Sequence, residues 1–239
     1  ALHLEVNKLP VDTGVNPDAR NPAHLTANGL TVVAYAAVED FMRRRAHEVV
    51  CWLGKSGVPF AWLPKSLQTA ILVGTLQGLH FSIDRTETSQ RDVLIQLEGM
   101  LLAQTGENVA FSPSKYFFGY SKSNLNAGLV REFISAFGYS SADETMKVVS
   151  DCLSATHLGG AMSLFTSMGR ARHASAHSFD ASYRRGALLK DIVTNAPLIA
   201  VCFDTCISQW AIKIKDDFDK KIAIPRDPTE YLSTNAIIR

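Results

Sequence analysis

Three things are scarce in this 239-residue chain: net charge, long apolar runs and paired cysteines. Lysine and arginine number 24 against 23 acids, a formal net charge of +1. Nothing in that balance pulls nucleic acid towards the whole surface, so any polyanion site has to be a local patch. No apolar run approaches the ~18 residues that a membrane span needs, so no transmembrane helix is expected. The first thirty residues lack a basic stretch followed by an apolar one, and no signal peptide is expected either.

The cysteines are Cys51, Cys152, Cys202 and Cys206. None has Cys-x-x-Cys spacing, and paired Cys or His knuckles for structural zinc are missing. Buried reduced thiols are the expected state, which points to a cytoplasmic location. A phosphate-binding glycine loop and a Gly-x-Ser-x-Gly elbow are missing as well. With no ligand set in view, no metal or other cofactor is expected. Alternating strand patterns, internal repeats and low complexity are also lacking.

What the chain does have is helical periodicity, and the fold class it predicts is all-α: an up-and-down helical bundle with a long aromatic-rich loop and extended termini. Residues 1–25, with Pro10, Pro17 and Pro22, read as an extended arm, residues 26–218 as one helical domain and residues 219–239 as a tail. The first long helix starts near Asn28, with Leu30, Val33, Ala37, Phe41, Val49, Trp52 and Leu53 as its apolar positions and Gly54 and Gly57 as its stop. A second opens at Leu63-Pro64 and is carried by Leu67, Ile71, Leu72, Leu76 and Leu79. A third spans about Thr88 to Ala103. Periodicity then fails over residues 105–125, where Phe111, Tyr116, Phe117, Phe118 and Tyr120 cluster. These aromatics either plug one end of the bundle or stack on bases beside a basic site. A fourth helix starts at Asn124 or Asn126 and closes at Gly138. Ser141 to Glu144 form a capping box for the next, which Gly159-Gly160 interrupts. A short helix over Leu188 to Val193 precedes a long one starting at Pro197, with Ile199, Phe203, Ile207, Trp210 and Ile214 as its stripe.

The densest chemistry is Arg170-Ala-Arg172-His173-Ala-Ser-Ala-His177. An imidazole titrating near neutrality can accept a proton from a 2′-hydroxyl or donate one to a departing 5′-oxygen. A guanidinium beside it can hold the scissile phosphate. Together they suffice for RNA cleavage without a metal, leaving a 2′,3′-cyclic phosphate. His173 and His177 share a helix face, while Arg172 lies about 140° around from His177. One helix does not converge these groups, and a helix end or a second copy across a two-fold axis would. Thirteen arginines and seven histidines generate about 0.4 chance Arg-x4-His matches, so the bare spacing carries little and a solvated basic face is its ordinary reading.

The setting adds to it. Arg172-His-Ala-Ser-Ala-His177, placed late in a helical chain ahead of a final long helix, resembles the motif of HEPN-domain ribonucleases. Ala34-Tyr-Ala-Ala-Val-Glu39-Asp-Phe41 and the stretch Asn124 to Gly138 resemble the branch associated with ribosomal-L-PSP-type endoribonucleases. That resemblance covers roughly residues 28–215. It implies a homodimer in which two copies of Arg172 and His177 line one cleft, cutting RNA without a metal in a toxin–antitoxin or phage-defence setting, with an antitoxin or defence-system partner and no membrane. Carried over, Arg172 binds phosphate, His177 is general acid and base, and His173 takes the polar second position, where Asn is commoner. Phe179 stands where some toxin members carry a regulatory Tyr, so that modification is not expected.

Other candidates surround the motif. Arg170, Arg184 and Arg185 either extend a phosphate-binding surface or form a solvated helix end. Arg43, Arg44 and Arg45 point three ways from a helix, so at most one or two can face the same cleft. Glu39 either orients an active-site residue or pairs with Arg43 at i, i+4, the second reading being favoured. His47, His80 and His157 receive no role. Two other function classes stay open: a catalytically silent helical module binding nucleotide, RNA or protein, and a purely structural bundle.

Overall fold

A computed structural model of the chain describes residues 22–82, 111, 113, 117, 118, 125–138, 144–147, 160–177 and 186–220, with isolated positions at 91, 94, 95, 98 and 151. The described residues are mostly helical, with no strand among them, so the chain is all-α over that part. Five helices carry it: α1 (Pro22–Lys55), α2 (Lys65–Ser82), α3 (Ala127–Ala136), α4 (Gly160–His177) and α5 (Gly186–Asp219). A single turn of 3₁₀-helix, Phe60–Trp62, links α1 to α2. Arg184, Arg185, most of residues 88–103, Tyr116, Tyr120 and the tail lie outside the described residues.

α1 is the mast of the bundle, with α5 and α4 packed along it. It begins at Pro22, inside the stretch read as an arm, because proline is favoured at the first helical position. Its buried hydrophobic residues are Ala34, Tyr35, Val38, Met42, Ala46, Val49, Val50 and Leu53, with Thr31 and Glu39 buried beside them. The helical period was legible, but the face was not: Val33 (52% exposed) and Phe41 (37%) lie outward. A helix with partners on two sides buries a broad sector, and apolar spacing alone does not say which edge of it is covered. Trp52 on α1 and Leu76 on α2 are likewise exposed, against expectation.

Gly54 does not stop α1. It lies buried within the helix, and a Cβ there would collide with the main-chain carbonyl of Phe111. Gly74 on α2 does the same for the carbonyl of Phe117. These two close approaches seat the aromatic segment in the core. Phe111 packs edge-on against Phe60, with centroids 5.2 Å apart. Phe118 lies 4.1 Å from Phe133 on α3 and 6.1 Å from Phe203 on α5. The plug is therefore the reading that holds for Phe111, Phe117 and Phe118, all buried and unable to stack on a base. His47 ties the segment to α1, its Nε2 lying 3.2 Å from the Pro113 carbonyl and 3.5 Å from the Cys51 thiol. That thiol contact is the main reason the His47 pKa is raised.

α3 starts as its sequence predicts, with the Asn126 side chain accepting from the Leu129 amide at 3.0 Å. α5 differs from expectation: it is one helix of 34 residues with Pro197 inside it, not two. An internal proline forfeits one helical hydrogen bond and costs ~3 kcal/mol. The fully buried stripe Ile199, Phe203, Ile207, Trp210 and Ile214 outweighs that. The stretch Asn195–Asp219 is also long and apolar enough, by length and composition, to cross a membrane, a test that bundle core helices pass too. Cys202 and Cys206 are buried thiols outside any disulfide, Cys51 is half-buried, and Cys152 is outside the described residues.

Candidate functional site

The candidate site is built where α4 crosses α1. Phe165 of α4 stacks on Tyr35 of α1, with centroids 5.3 Å apart and planes 8° from parallel. One turn later Gly169 faces the same tyrosine, leaving the space a Cβ would fill 3.4 Å from its hydroxyl. Arg172 follows on that face, three residues further on.

On the α1 side Tyr35, Glu39 and Arg43 succeed each other at i, i+4 and i+8. The Tyr35 hydroxyl donates to the Leu125 carbonyl, and the Leu125 amide donates to Glu39 Oε1. Both main-chain groups of the residue ahead of the α3 cap are thus held by one face of α1. Arg43 Nη2 lies 3.5 Å from Glu39 Oε1, the i, i+4 pair expected from sequence. Burial, and then the Glu39 charge, push the Tyr35 pKa up to about 12, while Arg172 and Arg43 pull the other way. Arg172 therefore lies within the electrostatic reach of this buried group.

The three arginines of α1 do point three ways. Arg43 turns inward to Glu39. Arg44 stays in solvent, 2.6 Å from Asp40. Arg45 reaches α5, its Nε 2.6 Å from Asp204 Oδ1 and its Nη2 3.1 Å from Ser208 Oγ, with Glu48 at 3.0 Å from Nη1. Each has a carboxylate.

α4 is the opposite case. Its sequence, GAMSLFTSMGRARHASAH, contains no acid. Arg170 and His173 are exposed, and Arg172 is half-buried. Among the described residues neither Arg170 nor Arg172 has a carboxylate within ion-pair distance. His177 is the last residue of the helix, and its side chain lies outside the description. The structure thus brings Arg172 to Tyr35 and leaves Arg170 and His173 on the surface. Tyr35 and Leu125 were not singled out from sequence as site residues. The signal for Tyr35 was a polar stripe of 35, 39 and 43 on an otherwise apolar helix side; Leu125 acts through its main chain and left no signal.

Among the described residues no group of three His, Cys, Asp or Glu is placed to hold a metal ion. Comparison with protein-family models, with curated proteins and with solved structures finds no match to this chain.

Proposed function

We propose that the chain is a metal-independent endoribonuclease with a HEPN-like bundle, acting as a homodimer across the α4 motif. In this reading Arg172 holds the scissile phosphate and His177 moves the protons. His173 tunes the site, and Arg170, with Arg184 and Arg185 beyond the described residues, contacts neighbouring phosphates. The RNA 2′-oxygen attacks phosphorus as its proton passes to an imidazole, and the 5′-oxygen leaves with a proton returned from one. The products are a 2′,3′-cyclic phosphate and a 5′-hydroxyl. An antitoxin or defence-system partner and a cytoplasmic setting belong to the same reading.

The observation that carries it is that, among the described residues, neither Arg170 nor Arg172 lies within ion-pair distance of a carboxylate. A guanidinium so placed suits an external phosphate. The resemblance at Arg172–His177 then names the anion as an RNA phosphate.

A second reading has its own support: the motif sits on a catalytically silent module. Arg172 is half-buried towards Tyr35, and position 177 lies about 140° around the helix from it, so a single copy does not converge the pair. RNA cleavage in EDTA separates the two. Wild type is expected to yield cyclic-phosphate ends, with His177→Ala and Arg172→Ala each slower by about 10²–10⁴-fold. Wild type that cuts nothing, or variants that cut equally well, would remove the enzyme reading.

A further inference from the structure

The seam between α1 and α5 carries an apolar surface that the proposed chemistry does not use. Phe41 and Trp52 on α1, and Val201 and Ile212 on α5, are each 37–47% exposed. Arg45 marks the seam, since it reaches Asp204 and Ser208 across it. Phe41 lies one turn before Arg45 and Trp52 two turns after it; Val201 lies two turns before Ser208 and Ile212 one turn after. At 100° per residue each falls within about 40° of its seam residue. Trp62, shortly past the end of α1, packs edge-on against Phe218 in the last turn of α5, with centroids 5.4 Å apart, so the two helices run in the same direction. Phe41 is therefore level with Val201, and Trp52 with Ile212. The two positions are eleven residues apart on each helix, about three turns or about 17 Å.

The charges on this side of α1 suit the same surface reversed. Arg44 and Glu48 are exposed, and Arg44 lies about 180° around α1 from Tyr35, on the face away from α4. A two-fold axis lying across the seam, perpendicular to both helices, puts two copies face to face with their helices reversed. Pairing Phe41 with Trp52 across that axis also pairs Val201 with Ile212 and, to within one residue, Arg44 with Glu48. Each of these contacts occurs twice, and each brings apolar to apolar or cation to acid. A lipid surface would instead strip water from Arg44, Glu48 and the Arg45 clamp without answering their charge.

We infer that this face is a docking surface for a second copy of the chain, paired about that axis. It is separate from pairing through the α4 motif and does not depend on the ribonuclease reading. The patch, about 17 Å long and two helices or about 20 Å wide, is smaller than a standard interface of ~800 Å² per partner. A reversible dimer with a dissociation constant on the order of 10 µM is expected.

The test is sedimentation equilibrium of the full chain up to about 100 µM, about ten times that constant. Arg44→Glu and Glu48→Arg each turn both Arg–Glu contacts into like-charge contacts, and each is expected to weaken association about tenfold. Mixing the two variants in equal amounts restores opposite charges in both contacts, so the mixture should associate within about twofold of wild type. Trp52→Ser, at an exposed position, should weaken association about tenfold with cooperative melting retained. Association through α4 would be unchanged by all three variants, which keeps the two interfaces apart. Variants that associate like wild type overturn the inference, and so does a mixture that associates no better than its components. Wild type that stays monomeric at about 100 µM overturns it as well, and pelleting of that monomer with phosphatidylcholine vesicles would give the patch to a lipid surface.

Discussion

α1 and α4 both place arginines next to the candidate site, and they use them in opposite ways. On α1, Arg43 and Arg45 join helices: the first belongs to the Tyr35–Glu39 group that holds Leu125, the second clamps α5 through Asp204 and Ser208. Arg44, between them, pairs with Asp40 in solvent. On α4 two arginines and two histidines share 18 residues with no acid. The difference teaches that counting cations along a chain does not locate an anion site. What matters is whether each cation has a carboxylate within reach, one turn away on its own helix as for Arg43 and Arg44, or on the helix alongside as for Arg45 and Asp204.

The comparison can be broken by measuring stability, since the α1 charges should matter to folding and the outer α4 charges should not. The largest effect is expected from Glu39→Ala. It leaves the buried Leu125 amide without its acceptor and Arg43 without its nearest acid, which should cost on the order of 3 kcal/mol in urea unfolding. A loss under about 0.5 kcal/mol would mean that the group is not a structural hub.

Next is alkaline pH. The folded state keeps the Tyr35 proton up to about 12, whereas the unfolded chain loses it near about 10. The unfolded state then binds fewer protons, so this contribution is intact below pH about 10 and stability falls by about 2 kcal/mol as pH rises towards 12. Cys206, whose thiol burial also pushes up, adds a decline that begins at lower pH, above about 8.5. The difference between wild type and Tyr35→Phe isolates the tyrosine: the variant is expected to lose the steeper part of the fall above pH about 10. Parallel pH curves for the two proteins would contradict the burial of Tyr35.

A smaller effect belongs to Arg45→Ala. Its partners are partly exposed, so removing the clamp should cost about 1 kcal/mol and lower the melting temperature by about 2–4 °C. Raised salt should shrink that difference. Least of all is Arg170→Ala on α4, expected within about 0.5 kcal/mol of wild type in the same unfolding assay. A cost matching that of Arg45→Ala would show that Arg170 also builds the fold, and would erase the contrast between the two helices.

Local features were legible in the residues. Asn126 caps α3 because its side chain and the Leu129 amide are three residues apart, a relation that any chain contains within itself. The stripe Ile199 to Ile214 is buried as its spacing predicts. Legibility ended where a distant segment decides. Gly54 looked like a stop and is a seat for Phe111; Val33 and Phe41 looked like core and lie at the surface. Pro197 looked like the start of a helix and sits inside one. In each case a local preference worth a few kcal/mol or less is weighed against packing that the local sequence does not contain.

By itself, then, the sequence determined that the described residues are helical, where α2 and α3 begin, and which short stretch concentrates arginine and histidine. Those properties follow from periodicity, caps and composition, which act over a few residues. Only the tertiary structure decided that Arg45 reaches Asp204, which face of α4 meets Tyr35 and which meets solvent, and that the three phenylalanines of the central segment belong to the core. Arg45 and Asp204 are 159 positions apart, and Tyr35 and Leu125 are 90. Contacts at such separations depend on how whole helices pack, and no pattern within either helix encodes them.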